Sequence, residues 1–324
     1  MAESGPRIAI VFSCDLGYLF PSLVVGKQAV EQAPPGTDVR LILDADALPQ
    51  ATIDRIFEVT GVQVTLADPT VRAQIAAVKP HSSVVAGSYL SRSALLRLFL
   101  PDFLGDAYDR ILYLDGDMQV LRPLAPLFAI PAPAGHFLVV KDWVALHAAA
   151  DMPGHERQQA YLTKLGLPRE TWGGYFNSGM MLGDLTAWRS VTKPALEFYQ
   201  RYPERCLYFD QCALNATAYD WITHVPARWN FLRSHMVLPA YRSIDPAIIH
   251  FASRPKPWDG GIAPWGPAMF RPYVELAAQL QGLDLPWRRQ PWYRMIGYDL
   301  RERLQMLTAD RAYQDRLGAL LAAG

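Results

Sequence analysis

Short apolar runs separated by amphipathic stretches set the rhythm of the N-terminal part of the chain. Residues 7–13 (Arg-Ile-Ala-Ile-Val-Phe-Ser) form one run, residues 39–43 a second and residues 62–66 a third. Continuous apolar runs of this length suit strands buried on both faces of a sheet. Between them, a stretch opened by Pro21 with Leu23, Val24 and Val30, and another over 53–59, carry helical spacing. The β-α-β-α-β order with short links predicts a parallel sheet with right-handed crossovers. Residues 88–104 read as a further helix, with Leu95, Leu96, Phe99 and Leu100 as its apolar stripe and an end near Pro101. Residues 111–114, 137–140, 175–182 and 247–251 add strands, and 196–202 and the stretch from Asp210 add helices, with Asp210 in the N-cap position. Over 145–174 the pattern loosens, with a helical stretch near 158–165. This segment reads as an insertion over the sheet edge, an acceptor-side lid, with His147 and His155 as exposed loop histidines.

The run at 111–114 stops at Asp115-Gly116-Asp117. In extended backbone, residues i and i+2 point to the same side, so both carboxylates can aim at one point. Gly116 lets another group approach the backbone there. Two carboxylates held together repel unless a cation sits between them or one takes a proton, and such oxygen pairs suit Mg²⁺ or Mn²⁺. Ligands of open α/β sheets bind beyond the carboxyl ends of strands. Asp15 and Asp142 also stand at such ends, and His250 closes the late strand six residues before Lys256. The first strand does not lead into Gly-x-Gly-x-x-Gly, which speaks against a nicotinamide or flavin enzyme.

Composition narrows the class. At 51% hydrophobic and 19% charged, the chain of 324 residues has enough apolar material for a large core. Basic and acidic residues both number 31, so no global basic field calls for nucleic acid. Three cysteines (Cys14, Cys206, Cys212) without metal-ligand spacing point to a reduced, cytoplasmic setting. The N-terminus lacks signal-peptide architecture and no apolar run reaches the ~20 residues of a bilayer span, so the expectation is a soluble or peripheral protein.

Arg97, Asp115-Gly116-Asp117, Asn177-Ser178-Gly179, Asp210-Gln211 and His250 with Lys256-Pro257-Trp258 follow one another in this order. In order, spacing and flanking context they resemble the retaining glycosyltransferases of family 8, which include bacterial lipopolysaccharide galactosyl- and glucosyltransferases and glycogenin. The resemblance runs from about Arg7 to Trp258. It implies an α/β fold of GT-A type: one Rossmann-like, nucleotide-sugar-binding domain with a mostly parallel central sheet. It further implies that Asp115, Asp117 and His250 ligate Mn²⁺ (or Mg²⁺) on the diphosphate of a UDP-sugar. Lys256 would bind that diphosphate, with the Ser253 region and Gly116 close to it, and Asp15 would contact the uridine. Arg97 and Asp142 would hold the donor hexose, galactose or glucose, while Asn177, Asp210 and Gln211 surround its anomeric carbon. Same-face substitution, with Gln211 and Asp210 in electrostatic roles, is the mechanism expected, since Asp210 is the only carboxylate of that group able to act as a nucleophile instead. The chain departs from the family pattern at Gly17, at Leu95 and at Tyr89, where a side-chain contact to nucleotide or sugar differs.

After Trp258, glycines and prolines form a linker-like segment, followed by an amphipathic helix over about 271–281. Domain boundaries are expected at 1–260 for the catalytic unit and 261–324 for a C-terminal helical extension. Over 285–303, tryptophan and tyrosine interleave with five arginines against Asp299 and Glu302, a net charge of +3. Such a segment suits an anionic membrane surface, which would hold the protein peripherally at the inner face beside a glycolipid or other saccharide acceptor of the cell envelope. A helical pair packed on the domain is the other expectation for this region. Two further readings are a nucleotide-sugar-binding protein without turnover and a self-glucosylating priming enzyme.

Overall fold

The apolar runs become β1 (Ile8–Asp15), β2 (Asp38–Asp44), β3 (Gln63–Leu66), β4 (Arg110–Leu114), β6 (Phe137–Lys141), β7 (Phe176–Asp184) and β10 (Ile248–His250), and three short strands not read from the pattern join them: β5 (Met118–Val120), β8 (Ile222–His224) and β9 (Phe231–Leu232). The structure, a computed structural model, describes residues 6–78, 92–150, 155–237, 243–252, 256–261, 265–285 and 311–322. Seven strands form one sheet in the order β3-β2-β1-β4-β7-β6-β8, and β5, β10 and β9 form a small second sheet. In the large sheet, β1 pairs in parallel with β2 and β4, β2 with β3, and β6 with β8; β7 alone runs antiparallel to its neighbours. The sheet is mostly parallel, as the short βα links require.

Strand alternation feeds two cores. Ile10, Phe12, Leu112, Leu114, Leu138 and Leu182 enter one, while Ala9, Val11, Ile111, Tyr113, Phe137 and Met181 enter the other. Both faces are dry, which is why the strands read as unbroken apolar runs. The helices that cover them are α1 (Leu16–Gln32), α2 (Gln50–Thr60), α3 (Pro69–Ala77), α4 (Leu100–Leu104), α5 (Ala125–Phe128), α6 (Trp143–Ala150), α7 (Glu156–Leu165), α8 (Leu185–Arg201), α9 (Asp210–Ala218), α10 (Gly266–Gln279) and α11 (Arg311–Ala322).

Several elements differ from the sequence reading. α1 starts at Leu16 because Asp15 caps it, accepting the Tyr18 N–H at 3.1 Å, and Pro21 lies inside the helix rather than opening it. Residues 92–99 wind as a 3₁₀ helix, and Pro101 sits in the first turn of α4 instead of ending a helix. Proline lacks only an N–H that a first turn leaves unpaired anyway. The loose segment after β6 contains two helices, α6 and α7, and His147 is buried on α6 against Trp143, with ring centroids 4.4 Å apart. It is a packed residue, not an exposed loop histidine. Burial, with His155 nearby, lowers its pKa to about 4.

β4 ends in the large sheet and β5 begins the small one, so Asp115-Gly116-Asp117 is the turn that joins the two sheets. On the C-terminal side, Tyr273 and Leu276 of α10 and Leu317 and Leu321 of α11 are buried in the same core as β1 and α1. Tyr89 and the basic-aromatic stretch from Pro286 to Arg303 lie outside the described residues. Among the described residues, no helix is long and apolar enough to cross a membrane.

Candidate active site

The turn, not strand alternation, brings Asp115 and Asp117 together, because the chain leaves extended geometry between them. Each is pinned from a different sheet. The Asp115 N–H donates to Gly179 O at 2.8 Å, prolonging the β4–β7 ladder, and Asp117 O accepts the Phe251 N–H at 2.8 Å, prolonging β5–β10. Because His250 pairs with Met118 in that ladder, it arrives beside the two carboxylates. One ligand atom from each of Asp115, Asp117 and His250 lies within 4.8 Å of the others.

The two carboxylates are used asymmetrically. Asp115 Oδ1 accepts Arg97 Nη2–H at 2.8 Å and Asp117 Oδ2 accepts Lys256 Nζ–H at 2.6 Å. The other oxygens, Asp115 Oδ2 and Asp117 Oδ1, face His250 Nε2 at 3.7 and 3.2 Å. Asn230 settles which nitrogen of His250 is protonated. Its Nδ2 donates to Asn177 Oδ1 at 2.9 Å, so its Oδ1 is the atom 3.0 Å from His250 Nδ1. In the neutral ring Nδ1 then carries the hydrogen, and the Nε2 lone pair points at two carboxylate oxygens. With Nε2 unprotonated, the three atoms form a donor set suited to a hard divalent cation, with an orienting partner behind the imidazole. The surrounding space is tight: a Cβ on Gly179 would lie 2.5 Å from His250 Cε1 and 2.8 Å from Asp115 Oδ2. Burial would raise the Asp117 carboxyl, but Lys256 and His250 outweigh it and hold it well below the usual carboxylate range. Lys256 Nζ also donates to Phe251 O, and Trp258, packed on Tyr18 and Tyr273, anchors the loop that carries it.

Arg97 is 3% exposed and lies over the Tyr113 ring, 4.3 Å from its centroid. Its Nη1 donates to Ser178 O at 2.6 Å and Oγ at 3.1 Å, and its Nε to Ala94 O at 3.2 Å. The same Nε stands 2.9 Å from Asp210 Oδ2 without hydrogen-bond alignment. Arg97 therefore ties Asp115, Ser178 and Asp210 together. Asp210 is the first residue of α9; Phe209, at φ 49°, is the residue that caps it. That left-handed backbone, rare for a bulky residue, turns the chain so that Asp210 faces Arg97. Burial, reinforced by Asp115 and opposed by Arg97, raises the Asp210 pKa to about 6.

β7 supplies the third part. Val139 pairs with Met181, but Val140 pairs with Asn177, so three β7 residues bulge from β6 at Ser178 to Met180. The bulge re-aims Asn177 toward Asp142 and Gln211. Asn177 Nδ2 donates to Asp142 Oδ2 at 2.9 Å and Gln211 Oε1 at 3.1 Å, and Gln211 Oε1 also accepts the Ser178 N–H at 3.2 Å. Burial raises the Asp142 carboxyl, while the Val144 N–H, Asn177 and Gln211 offset part of the rise. Asn215, one turn after Gln211, clamps α9 to β7: it accepts the Phe176 N–H at 2.8 Å and donates to Phe176 O at 2.9 Å.

The structure thus brings together Arg97, Asp115, Asp117, Asp142, Asn177, Asp210, Gln211, His250 and Lys256. Asp15 caps α1 through Oδ1, and Ser22 Oγ of α1 fills the space that a Cβ on Gly116 would need. Ser253 lies outside the described residues. Asn230, Asn215, Tyr113 and Tyr175 were not singled out from sequence; a buried asparagine or tyrosine in an apolar neighbourhood is the only signal they offer.

Residues 9–260 match the family described as glycosyl transferase family 8. General stress protein A of Bacillus subtilis is 29% identical over 196 residues, 55% of this chain and 63% of that protein. Glycosyltransferase GlyF of Streptococcus pneumoniae is 25% identical over 262 residues, 78% of this chain and 58% of that protein. The lipopolysaccharide 1,2-glucosyltransferase of Escherichia coli is 26% identical over 179 residues, 52% of this chain and 49% of that protein. The chain thus spans only 49 to 63% of these relatives' own lengths. Among solved structures, the galactosyltransferase LgtC with donor and acceptor sugar analogues aligns with a TM-score of 0.63 at 24% identity, covering 85% of this chain and 97% of that one. The apo WbbM bifunctional glycosyltransferase aligns at 0.62 and 18% identity, covering 94% of this chain and 52% of that one. Both share the GT-A type α/β fold. With a single family spanning the sheet, the carboxylate turn and the His250 strand, the chain belongs to glycosyl transferase family 8.

Proposed function

We propose that this chain is a metal-dependent retaining hexosyltransferase, moving galactose or glucose from a UDP-sugar to a saccharide or glycolipid of the cell envelope. The observation that carries the reading is the division of the carboxylate pair, with one oxygen of each held by Arg97 or Lys256 and the other facing His250 Nε2. A divalent ion held there by Asp115, Asp117 and His250 would supply Lewis-acid stabilisation for a departing diphosphate. Lys256, already at this point, would add its charge to the same oxygens, so no protonated acid is needed. Asp142, Asn177 and Gln211 offer one continuous polar rim for a hexose. Asp210 sits behind Ser178 against Arg97, which suits a fixed electrostatic role better than nucleophilic attack and favours substitution on one face of the sugar. The names of two relatives, the Escherichia coli glucosyltransferase and the lipopolysaccharide 1,3-galactosyltransferase of Salmonella typhimurium, support the hexose and envelope assignments. Cys14, Cys206 and Cys212 are all free and buried, which agrees with a cytoplasmic setting.

The test is release of UDP from UDP-galactose, UDP-glucose and UDP-N-acetylglucosamine, with Mn²⁺ and with EDTA. Metal-dependent release from one hexose donor, lost in Asp117→Ala, is the expected outcome. Tight binding without release, even with saccharide acceptors added, would move the assignment to a binding protein. Absence of metal-dependent donor binding would remove the reading altogether.

A further inference from the structure

The Gln211 carboxamide has four polar neighbours, and one is a tyrosine with no place in the mechanism above. Nε2 of Gln211 is 3.4 Å from Asp142 Oδ2 and 3.3 Å from Tyr175 Oη. Tyr175, 1% exposed, is the residue on which the 3₁₀ turn over Arg169–Gly174 ends, immediately before β7. Its hydroxyl lies 3.0 Å from Tyr161 Oη on α7, and Tyr161 Oη lies 2.8 Å from Cys212 Sγ on α9. Cys212 follows Gln211 in the chain, so the chain of contacts leaves α9, crosses to α7 and returns to α9.

The proton directions follow from chemistry. An amide nitrogen has hydrogens and no lone pair to offer, so Tyr175 Oη accepts from Gln211. Its own hydrogen then points to Tyr161 Oη, and the Tyr161 hydrogen to Cys212 Sγ. The reverse order would leave the Tyr175 hydrogen buried without an acceptor, a costly state. Burial raises both tyrosine hydroxyls well above the ordinary value, so both keep their protons. Flipping the Gln211 amide would set its oxygen against the Asp142 carboxylate and its NH₂ against the Ser178 N–H. Asp142 and Ser178 thus set the orientation, and Tyr175, able to donate or accept, holds the amide in place from outside the sugar-facing rim.

We infer that Tyr175, backed by Tyr161, is a positioning residue that holds the Gln211 amide in place while Asp142, Ser178 and Asn177 turn its oxygen inward. This rests on the hexosyltransferase reading for its catalytic consequence, but not for the geometry itself. α7 belongs to the segment after β6, so a shift of α7 reaches Gln211 through two hydroxyls.

The experiment uses the full chain with Tyr175→Phe, Tyr161→Phe and the double variant. The side-chain amide resonances of Gln211, assigned by their loss in Gln211→Ala, are recorded in ¹⁵N-labelled protein. In Tyr175→Phe they should move and exchange faster with solvent, while the thermal midpoint and Mn²⁺ affinity stay near wild type. Turnover of the hexose donor should fall in kcat by about tenfold with little change in KM, as expected for one buried hydrogen bond lost. Tyr161→Phe should lose less, and the double variant no more than Tyr175→Phe alone, since Tyr161 acts through Tyr175. Unmoved Gln211 resonances, or additive losses in the double variant, overturn the inference. If the resonances move but the wild-type chain releases nucleotide from no donor, the positioning stands and the transfer reading fails.

Discussion

Asn230 is fully buried, and its single carboxamide joins the two halves of the site, holding His250 Nδ1 at one end and Asn177 Oδ1 at the other. Removing it frees the imidazole to rotate and to change tautomer. Asn230→Ala should therefore weaken Mn²⁺ binding by about 10- to 100-fold, the range for lost partners behind a metal ligand, as read by titration calorimetry; unchanged affinity would show that His250 is held without it. Asp210 gives a second single-residue effect. Its pKa is raised from 3.8 to about 6, so the folded chain holds the proton more tightly than the unfolded one. The stability this contributes is full below about pH 4 and is lost as pH rises through 6, after which the curve is flat. Asp210→Asn keeps the neutral shape and should raise stability at pH 7 by on the order of 3 kcal/mol relative to its effect at pH 4. Urea unfolding at both pH values checks this, and equal effects at the two would refute it.

At the scale of elements, α9 and β7 act as one piece because Asn215 spans them. Asn215→Ala would leave the Phe176 N–H and carbonyl without their partners in a buried place, at about 2–4 kcal/mol. The expected reading is a lower urea midpoint together with reduced donor turnover, since Gln211 and Asn177 ride on these two elements; a stability loss with full turnover would separate the clamp from the site. The elements also show how far pattern reading reaches. β1, β2 and β4 were legible because two dry faces leave an unbroken apolar signature. Pro21 and Pro101 read as a helix start and a helix end and are neither, because proline marks only a constraint on φ and a missing N–H. Whether a first turn tolerates it or a helix continues through it depends on what caps the chain, here Asp15 in the first case. The bulge in β7 had no legible sign, since it arises from β4 and β6 imposing different registers on the same strand.

For the molecule as a whole, the C-terminal helices matter to how membrane attachment can be tested. Leu317 and Leu321 of α11 are buried with the β1 face, so deleting everything after residue 284 would open the core as well as remove the basic-aromatic segment. Reversing charge within the segment is the sharper test. The triple change Arg288→Glu, Arg289→Glu, Arg294→Glu should abolish sedimentation with phosphatidylserine vesicles and leave the thermal midpoint near wild type. A parent chain that does not sediment with such vesicles sinks the attachment hypothesis outright. The attraction at issue is about 1 kcal/mol per arginine near an anionic surface and fades at high salt.

The order of residues along the chain was enough to set the fold class and the family and to nominate the carboxylates, His250, Lys256 and the Asn177/Gln211 pair, because each depends on local chemistry repeated in a recognisable order. It could not give their division of labour. Arg97 reads as a sugar ligand in one dimension; that it also pairs with Asp115, with Asp210 and Ser178 beside it, appears only once 3₁₀ winding and the bulge bring them together. Gly116 reads as an opening for a ligand and proves to be the gap that Ser22 fills. The tautomer of His250, the orientation of the Gln211 amide and the tyrosine pair behind it depend on which polar groups become neighbours after the two sheets, α7 and α9 have packed. Sequence fixes the inventory of donors and acceptors; only burial, by removing water as an alternative partner, decides which of them must find one another.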